Sequence, residues 1–176
     1  GFPDHNKPVL LIVGGSSGSK VINEAVRKVL PELLEQFYVI HLCGKGNLDE
    51  QLKGVLGYAQ FEYASAELTD MFALADMAIS RAGANSICEL LALHKPNILI
   101  PLSAAASRGD QILNAKSFAK QGFSYVLEEE QLTDKTLLSA VKEVYENREK
   151  YIKAMSESGQ MDSIGTIVNL IEEQAR

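Results

Sequence analysis

The stretch that decides the fold runs from 8 to 19: Pro8-Val9-Leu10-Leu11-Ile12-Val13, then Gly14-Gly15-Ser16-Ser17-Gly18-Ser19. The first half is continuously apolar rather than alternating, as a strand buried on both faces requires. The second half packs three glycines and three serines into six positions, and a stripe at helical spacing follows: Val21, Ala25, Val29, Leu33. Strand, glycine-rich turn and helix make the first half of a βαβ unit, which implies a parallel sheet. The alternation continues outward. The runs 37–43 (FYVIHLC), 58–63, 76–80 (DMAIS), 97–101 (NILIP) and 124–127 read as five further strands, with 58–63 alternating and weaker. Helical patterns fall at 68–74, 86–93, 111–120 and 137–145, the last preceded by Thr133-Asp134 as a capping pair, and a final amphipathic helix falls at 163–173. Pro31 ends, kinks or restarts the first helix. The expected fold is α/β: a Rossmann-like, doubly wound parallel sheet of about six strands.

Composition agrees with that reading. The 176 residues are 46% hydrophobic and 23% charged, ordinary globular usage that excludes a disordered tail, a collagen-like repeat and a disulfide scaffold. The length suits one domain at roughly 150 residues each. No apolar run is long enough to span a bilayer. The net charge of −6 lacks the basic excess of phosphate-backbone binders, so no nucleic-acid partner is expected. Cys43 and Cys88 lie far apart with no CxxC, which reads as two reduced thiols in a cytoplasmic protein. Residues 1–7 are polar, without the apolar core of a signal peptide. They read as a linker or the remnant of a cut between domains, leaving 8–176 as the folded unit.

In doubly wound sheets ligands bind beyond the carboxyl ends of the strands, so the segments after the strands carry the chemistry. After the first strand, Gly14 to Ser19 combine close backbone approach, hydroxyl donors and a helix start, which together suit a phosphate. A simple strand-to-helix turn is the plainer alternative, since neither GxGxxG nor a Walker A pattern is present. After the fourth strand come Arg81, Ala82, Gly83, Ala84, Asn85 and Ser86, with Glu89 about a turn into the helix. Glu89 either complements the helix dipole or accepts two hydrogen bonds from a ribose diol, and spacing leaves both open. After the fifth strand, Asp110 is an N-cap or a sugar ligand, and Gln111 and Asn114 could reach a sugar. His5, His41 and His94 lack ligand spacing, so no metal site is expected. No G-x-S-x-G elbow is present. The glutamates at 128–130 read as a solvated charge run. A nucleotide-diphosphate derivative is the ligand class these loops imply.

The Gly/Ser loop, the block ELTDMFALADMAISRAGANSICELLAL at 67–93 and the IPL…SRGDQILNA pattern at 100–115 together resemble the C-terminal, donor-binding half of the MurG family. These are the bacterial N-acetylglucosaminyltransferases that convert lipid I to lipid II in peptidoglycan synthesis. The resemblance implies half of a GT-B fold, in which two Rossmann-like domains face across a cleft and the C-terminal one binds UDP-N-acetylglucosamine. It places Gly14, Gly15, Ser16, Ser17 and Gly18 at the diphosphate. The backbone of Ser65, with Leu68, falls near the uracil. Ala84, Asn85 and Ser86 start the helix facing the phosphates, with Arg81 and Gly83 in the same block. Glu89 holds the ribose, and Asp110, Gln111 and Asn114 fall at the sugar. It implies an inverting transfer without metal or cofactor. No catalytic residue is expected in this chain, because the general base lies in the N-terminal domain. The implied partners are that domain and, through it, a lipid-linked acceptor. The whole protein would then be peripheral on the cytoplasmic face of the membrane, with no membrane contact from this domain alone. Three alternatives remain: a related GT-B donor domain with another lipid acceptor, a non-catalytic UDP-sugar-binding subunit, and an epimerase of the same architecture.

Overall fold

The computed structural model describes residues 6–65, 67–106 and 108–159. The helix expected at 163–173, and all but the last two residues of the expected N-terminal linker, lie outside them.

Among the described residues six strands form one parallel sheet: β1 (Val9–Val13), β2 (Tyr38–Leu42), β3 (Tyr58–Phe61), β4 (Met77–Ser80), β5 (Asn97–Leu99) and β6 (Tyr125–Val126). Their spatial order is β3-β2-β1-β4-β5-β6. The chain winds outward from β1 through β2 and β3, then returns to the other side of β1 for β4 to β6. The winding direction therefore reverses between β1 and β4, and that is where a doubly wound sheet opens a crevice. All five residues of β1 are buried, as the unbroken apolar run requires. β1 pairs on both edges, Val9 opposite Tyr38 on one side and Leu10 opposite Met77 on the other.

Among the described residues seven helices cover the faces: α1 (Lys20–Lys28), α2 (Leu30–Gln36), α3 (Glu67–Leu74), α4 (Ala84–Ala92), α5 (Asp110–Lys120), α6 (Asp134–Glu146) and α7 (Arg148–Ser156). The expected first stripe holds at Val29 and Leu33 and is corrected in its first half, where Ile22 and Val26 take the buried positions instead of Val21 and Ala25. Val21 is 43% exposed, while Ile22, Val26, Val29, Leu30 and Leu33 are buried. Pro31 restarts the chain as α2, in the first turn, where its missing N–H costs nothing. Thr133 caps α6 in a reciprocal box with Thr136, so the helix starts three residues earlier than its apolar pattern. α4 closes in a Schellman geometry: Lys95 N–H donates to the Leu90 carbonyl and His94 N–H to that of Leu91, with His94 at φ 50°. α7 was not anticipated. It follows α6 after Asn147 alone and buries only Tyr151 and Met155, too sparse a stripe to stand out.

Candidate functional site

At the carboxyl edge, over the switch between β1 and β4, lies a cavity of about 540 Å³, within the size range of small-molecule sites. Gly15 and Ser16 line it from the loop after β1, Glu62, Tyr63, Ala64 and Leu68 from the segment after β3, Arg81 and Gly83 to Ser86 from the β4–α4 junction, and Gln111 from α5. Three separate loops read from the sequence thus converge on one space. Glu62, Tyr63 and Ala64 were not singled out beforehand. The rule that found the other loops applies equally to the one after β3, and following it there would have found them.

The Gly/Ser loop is built by backbone packing. Gly18 N–H donates to the Gly15 carbonyl at 3.1 Å, closing a turn whose residues 15–17 are exposed. A Cβ on Gly18, at φ 77°, would sit 2.1 Å from the Cys43 carbonyl oxygen, and one on Gly44 would sit 2.4 Å from that of Ser17. The loops after β1 and β2 therefore touch through backbone alone. Gly18 serves this packing, Gly14 lets its own loop fold back on Ser19 N, and Ser16 and Gly15 face the cavity; Ser17 is exposed beside them without lining it.

Beneath the two loops lies a buried polar chain. Asn23 donates through Nδ2 to the Cys43 carbonyl at 2.8 Å, and its Oδ1 lies 2.9 Å from His41 Nε2. His41 Nδ1 lies 2.9 Å from the Tyr58 hydroxyl. With Asn23 Nδ2 spent on a carbonyl, its Oδ1 must accept, so the proton of a neutral His41 sits on Nε2 and Nδ1 accepts from Tyr58. Burial, and then the charge of Arg27, holds the His41 pKa down at about 3. Burial likewise pushes the Tyr58 hydroxyl up to about 12 and raises the Cys43 thiol against the opposing pull of Arg27. The network stays neutral and anchors α1 to the loop after β2.

Helix α4 starts at the cavity without a side-chain cap, its N-cap being Gly83. The N–H groups of the first turn, at Ala84, Asn85 and Ser86, thus point into the cavity mouth without a capping side chain. The neighbouring helix starts differ. On α1, Ser19 Oγ accepts from Ile22 N–H. On α5, Asp110 places a carboxylate in the first turn, where an anion would be repelled. Gly109, at φ 87°, is the N-cap of α5. This corrects the N-cap reading of Asp110, which is the first helical residue, is exposed and does not line the cavity.

Glu89 is half-buried on α4, on the same face as Asn85 and Ser86 four and three residues before it, one turn beyond the cavity, which it does not itself line. Among the described residues its carboxylate has no hydrogen-bond or ion-pair partner. Gln111 holds the wall in shape, its Oε1 accepting from Leu102 N–H at 3.0 Å. Asn114 donates to the Ala82 carbonyl at 2.9 Å, which ties α5 to the loop before α4. Leu68 lines the main cavity, and Ser65 lines an adjoining one that shares Glu62, Tyr63 and Ala64.

Arg81 is buried and wired into the scaffold. Its Nη1 donates to the Ile100 and Pro101 carbonyls, each at 3.2 Å, and its Nη2 to Ser19 Oγ at 2.7 Å. Nη1 also lies 2.5 Å from Glu129 Oε2, a close ion pair whose alignment is not that of a hydrogen bond. Glu129 is only 17% exposed, so the solvated reading of the 128–130 run is corrected: its middle member is turned inward as the counter-ion of Arg81. Among the described residues no group of three or more His, Cys, Asp or Glu side chains gathers as a metal site, and no helix is long and apolar enough to cross a membrane.

Comparison with known proteins gives this geometry a family. The enzyme of Lachnoclostridium phytofermentans named UDP-N-acetylglucosamine–N-acetylmuramyl-(pentapeptide) pyrophosphoryl-undecaprenol N-acetylglucosamine transferase is 63% identical over 168 residues, 96% of this chain and 47% of that protein. The Clostridium perfringens enzyme of the same name is 59% identical over 170 residues, 97% of this chain and 48% of its own length. The chain thus spans about half the length of the curated relatives it matches. A crystal structure of MurG from Acinetobacter baumannii shares the fold, with a TM-score of 0.78 over 97% of this chain and 51% of that one at 24% identity. The profile of the glycosyltransferase family 28 C-terminal domain matches residues 9–170, and to that family the chain belongs.

Proposed function

We propose that the chain is the donor-binding half of an inverting N-acetylglucosaminyltransferase that converts lipid I to lipid II. Its ligand would be UDP-N-acetylglucosamine. The observation that carries this reading is the uncapped start of α4 facing the Gly15–Ser16 loop across one cavity at the sheet switch point. The diphosphate would sit against the α4 N–H groups, whose partial positive charge also stabilises the developing charge on the departing UDP. Glu89, without a polar partner among the described residues, would accept from both ribose hydroxyls. The uracil would lie against Leu68 and the backbone near Ser65, and the sugar against Gln111, with Asp110 and Asn114 beside it. Transfer needs a base to take the proton of the attacking acceptor hydroxyl. That base, the acceptor site and the membrane attachment would lie in the rest of the full-length enzyme. No metal or cofactor enters the proposal.

Titration with UDP, UDP-N-acetylglucosamine and UDP-glucose, repeated with Glu89→Ala, tests it. Saturable UDP binding is expected, weakened by about 10-fold or more in the variant, since a hydrogen bond to a charged group contributes about 1.5–3 kcal/mol. A folded chain that binds no uridine nucleotide overturns the reading. Preference for UDP-glucose over UDP-N-acetylglucosamine would overturn the assigned sugar.

A further inference from the structure

Among the described residues that line the cavity, Arg81 is the one cationic side chain, and it sits where an anion is expected. A Cβ on Gly15 would lie 3.9 Å from Arg81 Cγ, so the arginine stem runs directly beneath the exposed Gly/Ser loop. Yet its guanidinium is occupied by two carbonyls, a hydroxyl and the buried carboxylate of Glu129. Such a group holds three elements together, the start of α1, the end of β5 and the turn before α6, while its net charge toward the cavity is cancelled. We infer that Glu129 is an affinity-setting residue for the donor site: by neutralising Arg81 it leaves phosphate binding to the helix start and loop N–H groups, and it keeps the nucleotide diphosphate from being held too tightly to leave.

This inference rests on the donor-site reading above, and its signature differs from that of a structural ion pair. Losing a structural support weakens binding or leaves it unchanged. Uncovering a buried cation beside a phosphate strengthens binding of the charged ligand alone. For a separation taken as about 7 Å, at an effective dielectric constant of roughly 20 to 40, a unit charge freed beside a phosphate favours binding by about seven- to fifty-fold.

The test follows amide shifts by NMR on titration with UDP and with uridine, which carries the base and ribose without phosphate. Glu129→Gln is expected to raise the affinity ratio of UDP to uridine by about seven-fold or more, with uridine affinity nearly unmoved. It is also expected to be less stable, because a buried arginine has lost its counter-ion. The double variant Arg81→Gln/Glu129→Gln removes both charges and leaves no such ion. Its ratio is expected within about three-fold of the wild-type value, which keeps the inference testable if the single variant does not fold. A Glu129→Gln ratio that is unchanged or lower overturns it. So does a double variant whose ratio falls ten-fold or more, since Arg81 would then have been serving the phosphates despite Glu129. If the wild-type chain is folded and binds neither ligand, the donor-site reading itself fails, an outcome distinct from both.

Discussion

Acidification from pH 7 to pH 5 should remove stability through His41. The imidazole is fully buried, with both ring nitrogens engaged by Asn23 and Tyr58, and its pKa is held at about 3 against 6.5 for the unfolded chain. The folded pKa lies below the unfolded one, so between pH 6.5 and 3 the unfolded chain binds the extra proton. Stability is therefore whole above pH 6.5 and is lost as pH falls toward 3. At pH 5 the unfolded histidine is about 1.5 units below its pKa while the folded one is still neutral, which at about 1.4 kcal/mol per unit costs about 2 kcal/mol. Ordinary carboxylates titrate nearer pH 4 and contribute little in this window. Urea unfolding at the two pH values, on the wild type and on His41→Gln, measures the effect. The variant keeps an amide to meet Asn23 but cannot titrate. It should be less stable at pH 7 and nearly level down to pH 5. Equal unfolding free energies for the wild type at both values would refute the neutral, network-bound His41. A glutamine variant with the same drop would refute it too.

Gly18→Ala should cost about 2 kcal/mol or more and weaken UDP binding, because the new Cβ meets the Cys43 carbonyl at a positive φ. Gly46→Ala, at φ 74° with nothing within 4 Å, should cost only about 1 kcal/mol, and the difference by chemical denaturation isolates the contact between the two loops. His94→Gly should stabilise by about 0.5–1 kcal/mol, read as a raised Tm, since it relieves a left-handed non-glycine residue at the end of α4. The chain by itself should bind UDP-N-acetylglucosamine without transferring the sugar to a lipid-linked acceptor; measured transfer by these 176 residues would overturn the assignment of the base to the rest of the enzyme.

The sheet was legible where local sequence and global role coincide. β1 must be apolar on both faces and must be followed by a tight turn, so 8–19 announce strand, loop and helix without ambiguity. The block 77–89 did the same for β4 and α4. Legibility failed where the deciding partner is remote. The three-glycine loop suggested phosphate approach, but the tightest constraint on Gly18 is the backbone of Cys43 and Gly44, a loop with no pattern of its own. Glu129 sits in a run of three glutamates whose composition is that of a solvated surface. Only the fold shows that the middle one turns inward to meet Arg81. α7 was missed because a helix that buries two residues shows almost no amphipathic stripe.

These misses share a physical cause that bears on how the site works. A nucleotide cavity at a sheet switch point has to hold several loops at fixed spacing, and each loop is anchored from behind by groups that never face the ligand. Asn23 and His41 fix the loop after β2, which fixes Gly18; Arg81 fixes the start of α1 against the ends of β4 and β5. What remains facing the cavity is largely backbone, small side chains and one helix start. Backbone N–H groups carry no net charge and need no side-chain ordering to bind, so the site gains geometry without gaining a strong electrostatic hold on a diphosphate. On the proposed donor role, that arrangement would suit a ligand that arrives as a sugar donor and leaves as a diphosphate. It also explains why residues chosen by chemical type alone would overvalue Arg81 and overlook Glu129.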